Sequence, residues 1–421
     1  MPKKILILLL VVVYIYALTF DIFLNNYFKF PAVAVGVAIA LLFPARGDLQ
    51  FIGMRELWLL FLANFFYYVL GQDQIKPLMV NLLIFIGCAL YFNFFVGNNP
   101  GRLKMSVIVF FSCLALSALV MGADHINPLA TIIWRERLIG GEIVQSPSGI
   151  CTSIFTFGYQ VAALSTFAFL YTLFSGKSFI VVMLVLMMAI VPIFYGMQRS
   201  ALMVFAIGSV LAIVFYFRMK SIPILVGVAV LGLVFFSTIS RYNGNAQENI
   251  LSKAQQNSER GEDRSGLVTE NIKIYSDYPL GLLFYNRQWS DVSRHNPIYQ
   301  GGLTSHNAYL MFITYLGPLV GIILLLSIYW RVGKIFKSVI VDIRNPKSAL
   351  QAALCFTFLA ISLNSLFHNA WLVNANGPTV FLFFCILQLN AINSKKKIYD
   401  HPEKENIALS KPRGRMVRAE A

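Results

Sequence analysis

Six side chains stand out in a chain that otherwise carries little charge. Arg199 follows the apolar stretch IVPIFYGMQ, and Arg264 heads DRSGLVTENIKIYSDYPLG. His306 and Asn307 open HNAYLMFITYLGPLVG, and His368 with Asn369 closes a later apolar run. Arg260 precedes Arg264 by one helical turn's spacing. Arginine grips a phosphate with a planar fork of donors and a permanent charge. Histidine is the side chain that takes or gives a proton near neutral pH. Each residue also has a plainer role open to it. Arg199 suits an interface anchor, Arg264 a solvated loop charge, His306 a helix-end cap, and His368 with Asn369 interface packing.

The elements that must position these groups are set by hydrophobicity. Of 421 residues, 57% are hydrophobic and 13% charged, about half the charge of an average soluble domain. The mean hydropathy is +0.68. Apolar runs near the ~20 residues needed to cross a bilayer core recur along the chain. The reading is an all-α polytopic membrane protein of about twelve spans. Its weakest span is 53–70, where Arg55 and Glu56 sit at the start. The first apolar stretch follows a short basic start without a small-residue cleavage site, so it is read as a span and not a removed signal.

Charge orients these spans. With Lys3 and Lys4 inside, Arg46, Arg102 and Lys104, Lys177, Arg218 and Lys220, the group from Arg331 to Lys347, and Lys395–Lys397 all fall on the same side. That meets the positive-inside rule and puts both termini in the cytoplasm. The net charge of +15 is then topological, with anionic lipid as its natural counterpart and no need of nucleic acid. The outer face carries one large loop, 241–305, with balanced charge. Within it Leu267–Tyr278 has helical spacing, with Val268, Ile272 and Tyr275 on one stripe and Pro279 as the stop. Arg135 and Arg137 beside Trp134 read as interfacial. Residues 1–394 form the membrane domain, and the basic tail 395–421 reads as disordered.

Several function classes lose support. Acidic residues are nearly missing from the span centres, which disfavours an ion-driven transporter. No P-loop, HExxH or metal-spaced cluster is present. The five cysteines lie in or beside apolar runs without a CxxC pair and read as buried packing.

In this setting the motifs resemble the bacterial O-antigen ligase and O-antigen polymerase superfamily. QRSALMVF is similar to that family's outer-face Arg segment. DRSGLVTENIKIYSDYPLG is similar to its large-loop helix with a Pro-Leu-Gly stop. SHNAYLMFITYLGPLVG is similar to the His-Asn, nine residues, Gly signature of the ligases. Its last position, usually Gly, Thr or Tyr, is Val320 here. The resemblance implies a glycosyltransferase without cofactor or metal. The donor would be a glycan on undecaprenyl pyrophosphate. The acceptor would be lipid A–core for a ligase, or a growing glycan for a polymerase. His306, Arg264 and Arg199 would be catalytic, with His306 the candidate base. Asn307, Arg260, His368 and Asn369 would bind substrate. A flippase for lipid-linked glycans is the remote alternative.

Overall fold

A backbone surrounded by hydrocarbon has no water to bond, so a long apolar run is driven to the helix, which satisfies its own N–H and C=O groups. The computed structural model describes residues 2–22, 24–25, 30–31, 33–45, 51–143, 145–151, 154–242, 249–250 and 264–400. Its elements are helical apart from the two-residue strands Leu24–Asn25 and Phe30–Pro31. Arg260 lies outside the described residues, as do Arg46 and 401–421.

The first half of the chain contains α1 (Pro2–Thr19), α2 (Ala34–Leu42), α3 (Met54–Asn64), α4 (Ile75–Leu90), α5 (Pro100–Ile126) and α6 (Pro128–Ile139). It is followed by α7 (Ile154–Phe174), α8 (Phe179–Tyr195), α9 (Arg199–Phe217) and α10 (Ser221–Tyr242). The segment between α10 and the next long helix contributes α11 (Arg264–Asp277) and α12 (Trp289–Ser293). The last helices are α13 (Ala308–Gly317), α14 (Ile323–Val341), α15 (Ala349–Asn364) and α16 (Gly377–Asp400). Asparagine caps three of them, at Asn99, Asn127 and Asn307. Asn99 and Asn127 each precede a proline and accept first-turn N–H groups, from Gly101 and Arg102 and from Ala130 respectively. This Asn-Pro start satisfies orphan donors and pre-sets the first helical φ.

Among the described residues seven helical stretches are long and apolar enough to cross a membrane, against about twelve expected. Of the five spans that are missing, α1 is not among the seven and α8 is apolar but only 17 residues long; the other three have two causes. Arg199–Val234 runs for 36 residues, or roughly 54 Å at 1.5 Å per residue, too long for one crossing of about 30 Å. It turns at Arg218, where φ is +54°, and so holds two helices. In contrast, the second and third expected spans shorten to the nine residues of α2 and the eleven of α3, the latter extended by a π-helical turn to Leu70. A membrane-embedded, all-α bundle stands; the expected number of long spans does not.

Basic side chains gather at one end. Lys3 lies over the Phe43 ring at 5.8 Å, and Arg102 donates to the Phe43 and Phe95 carbonyls at 2.8 and 2.7 Å. Arg331 pairs with the buried Glu56 at 3.1 Å, and Arg344 donates to the Tyr216 carbonyl at 2.7 Å. At the core of the bundle α15 packs against α7 and α9, and α16 runs buried along α4, α5 and α7. All five cysteines are buried thiols.

Candidate functional site

The opposite end gathers the candidate residues. α8 ends at Tyr195, and the chain turns through Met197, whose φ is +54°, into Arg199 at the first position of α9. Arg199 is exposed and Ser200 half-buried. The loop after α15 brings His368 over this turn. Its Nε2 lies 2.9 Å from Ser200 Oγ, and the side chain is only 5% exposed. The His368 ring packs against Phe155 and Tyr159 of α7, with centroids 5.4 and 5.8 Å away. Tyr159 is itself fixed by donating to the Ala370 carbonyl.

The second histidine also lies near Phe155. The rings of His306 and Phe155 lie 6.3 Å apart and 26° from parallel. His306 has φ +50°. A left-handed conformation in a non-glycine residue costs of order 1–3 kcal/mol and persists only where surrounding contacts impose it. Those contacts are visible. The Ala308 N–H is shared between the Ser365 and His368 carbonyls at 3.0 and 3.1 Å. Asn369 Nδ2 donates to Thr304 Oγ1 at 2.7 Å. The start of α13 and the loop after α15 are thus bound to each other.

The structure divides the roles expected of His306 and Asn307. Asn307 is the helix cap: its side chain accepts the Leu310 N–H at 3.0 Å. His306 is outside the helix and leaves capping to its neighbour. The first-turn N–H groups of Ala308 and Leu310 are both engaged within the protein, so this helix start is a poorer anion cradle than an open one. Tyr309, in the first turn of α13, packs into the wall. It donates to the Ser362 carbonyl at 2.8 Å and packs on Trp371.

Arg264 is the first residue of α11. The buried face of that helix is Leu267, Asn271 and Ile274, which corrects the expected stripe of Val268, Ile272 and Tyr275; Ile272 is 49% exposed. The reason is polar. Asn271 accepts from Thr314 Oγ1 at 2.6 Å and packs its amide on Met311, so an asparagine takes the centre of the face against α13. Tyr299 O–H donates to the Leu267 carbonyl at 2.6 Å. Burial, then the charge of Glu270, pushes that phenol's pKa up and keeps it a donor.

Further along, the Leu280–Gly281 backbone lies directly on Gly317: a Cβ at Gly281 would collide with the Gly317 backbone, and one at Gly317 with the Leu280 carbonyl. Both take φ values only glycine adopts freely, +99° and +74°. Asn271 lies against Met311 and Thr314, and Gly281 against Gly317, so α11 and α13 run parallel. Arg264 therefore begins at the end of α13 that follows His306.

The interfacial role expected of Arg135 is corrected. Arg135 is fully buried and bonds Asp124 Oδ2 at 3.0 Å, the Gly149 carbonyl at 3.0 Å, Ser146 Oγ at 2.5 Å and Ser148 Oγ. It holds the 145–149 turn against α5. The residue sequence reasoning missed is Ser200. Its available signal was adjacency: a hydroxyl directly after a candidate phosphate-binding arginine.

A large apolar groove of about 1140 Å³ runs between α5, α7 and α8. Leu119, Gly122, Ala168 and Met188 line it, and His125 and Tyr195 stand at its polar end. His125 Nε2 is 2.8 Å from the Tyr195 carbonyl. The groove therefore ends one turn of chain before Arg199. Among the described residues no cluster of three or more His, Cys, Asp or Glu is spaced to hold a metal ion. Compared with known proteins, the chain matches no family model and no curated sequence.

Proposed function

We propose that this chain is a glycosyltransferase of the O-antigen ligase and polymerase type, acting at the periplasmic face of the bacterial inner membrane. It would move a glycan from undecaprenyl pyrophosphate to a hydroxyl of lipid A–core or, as a polymerase, of another glycan. The observation that carries the reading is the convergence of three separated segments. Arg199–Ser200, His306–Asn307 and His368 meet through the Ser200–His368 bond of 2.9 Å and the Ala308–His368 bond of 3.1 Å.

In this reaction the acceptor oxygen attacks C1 of the donor sugar from the face opposite the pyrophosphate. The C1–O bond breaks, its electron pair goes to the pyrophosphate, and C1 inverts. Arg199 and Arg264 stabilise the charge that develops on the leaving phosphate. The acceptor hydroxyl's proton passes to an imidazole of the site. The apolar groove supports the reading because it offers a polyprenyl tail a path that ends near Arg199.

The test is reconstitution of the full chain in proteoliposomes with undecaprenyl-pyrophosphate-linked glycan. Glycan joined to lipid A–core identifies a ligase. A ladder of longer polyprenyl-linked glycans identifies a polymerase. Either product should form equally well in EDTA. Movement of the lipid-linked glycan across the bilayer with no new glycosidic bond would overturn the assignment. Reporter fusions at Gly141 should give a periplasmic signal, and those at Lys177 and Arg344 a cytoplasmic one. A cytoplasmic signal at Gly141 would remove the site from its lipid-linked donor.

A further inference from the structure

We propose that Ser200 and His368 form the proton-accepting pair of this transfer, and that His306 orients the acceptor sugar. The inference rests on the proposed glycosyl transfer and assigns, within it, the step that sequence reasoning gives to His306.

Geometry separates the two imidazoles. His368 already has a hydroxyl on Nε2, at 2.9 Å, within the range of a hydroxyl–base pair. The side chain is almost fully buried, its ring against Phe155 and Tyr159, and its backbone is held where the carbonyl accepts the Ala308 N–H. A buried, fixed imidazole is poorly placed to meet a bulky sugar directly. Ser200 is half-buried and bridges that gap. It also follows Arg199, so the phosphate-gripping guanidinium and the hydroxyl enter the site on consecutive residues of one helix start. His306 is half-buried, held at a strained φ, and lies near-parallel to Phe155. That arrangement suits a side chain that fixes the position of a sugar.

The proton balance is simple. As the acceptor oxygen bonds to C1, its proton moves to Ser200 Oγ. The Ser200 proton moves to His368 Nε2, and C1 releases pyrophosphate with the bond pair. Ser200 ends neutral and His368 ends as imidazolium, which returns its proton to water. Among the described residues the titratable groups near the pair are Tyr159 from α7, with Tyr309 beside it, Arg199 next to Ser200, and His306, which shares Phe155 with His368. For transfer His368 must be neutral, so the rate should rise with pH through its titration.

The experiment uses the full chain in proteoliposomes with the undecaprenyl-pyrophosphate-linked glycan and both acceptors. Ser200→Ala should lower kcat by ~10²-fold, the lower range of general-base effects, with the donor KM unchanged. Ser200→Thr keeps a hydroxyl and should restore most of that loss. His368→Gln should remove the acid limb of the kcat/KM–pH profile, whereas His306→Gln should keep it. A Ser200→Ala rate within about twofold of wild type overturns the pair while leaving the function standing. So does an acid limb that survives His368→Gln and disappears in His306→Gln. Should His368→Gln fail to fold, Ser200→Ala and Ser200→Thr still decide. A wild-type chain that transfers to neither acceptor sinks the functional reading and the pair together.

Discussion

Arg135 and Arg199 stand at the same end of the bundle, both next to the groove, and their surroundings are opposite. Arg135 is saturated: a carboxylate, two serine hydroxyls and two backbone carbonyls surround it, and water does not reach it. Arg199 is exposed at the first position of α9, beside a serine already held by a histidine. A guanidinium whose donors are all used inside the protein is architecture. One exposed just after the left-handed turn at Met197 is open to solvent and to an anion. Sequence proximity to an interface does not tell the two apart; the company each keeps does.

The comparison breaks most readily at Arg135. Arg135→Ala leaves the Asp124 carboxylate buried without its cation, which should cost about 3–5 kcal/mol. The measurement is thermal unfolding in detergent, followed by loss of the monodisperse chromatographic peak. Replacing Asp124 and Arg135 together with leucine and methionine should recover much of that stability, since a buried pair is worth little against apolar packing. A wild-type melting curve for Arg135→Ala would erase the distinction between the two arginines.

Arg199→Ala should show the reverse pattern. Stability should stay within about 0.5 kcal/mol, as for other exposed substitutions. Transfer should fall by about 10²–10³ if one transition-state charge contact is lost. Arg199→Lys should remain poor, because it keeps charge without the fork. Normal turnover of the alanine variant at equal membrane expression would return Arg199 to the role of interface anchor.

Gly317→Ala probes the seat of the loop. It adds a methyl group against the Leu280 carbonyl at a φ of +74°, and should cost about 1–3 kcal/mol in strain alone. Transfer should fall with stability, since the loop helix that begins at Arg264 would be displaced. An unchanged melt would mean that the loop does not rest on this glycine. The smallest effect is expected at Asn307. Asn307→Ala should lose about 1 kcal/mol as the cap is removed, and Asn307→Asp should restore it. Transfer that stays low in the aspartate variant would show that the amide nitrogen also meets substrate.

How far these features could be read in the sequence depended on the range of the interaction. The membrane class, the clustering of basic residues at one end and the Pro279 stop after α11 all follow from local composition and spacing. The span count did not, because α2 and α3 are short helices whose burial depends on neighbours such as α1 and α4. The face of α11 was misread since Asn271 is polar in sequence and central in packing, a choice made by Thr314 forty-three residues away. Arg135 looked interfacial because the turn that buries it returns ten to fourteen residues later. Within the candidate site, residue type and position singled out Arg199, His306 and His368, and the structure brings their segments together. Ser200 was not, as a serine between an arginine and an alanine in an apolar helix carries no pattern of its own until His368 arrives from 168 positions further along.

The backbone contact between Gly281 and Gly317 sets where this protein can be cut and rejoined. An exchange of the long segment between α10 and α13 with that of another protein would naturally place its junctions near residues 242 and 305. Such a chimera would separate the loop from the helix that was shaped to receive it. A junction beyond Gly317 would carry the loop, the His306 segment and their shared seat as one inherited unit. Acceptor preference should travel with that unit and not with the loop alone.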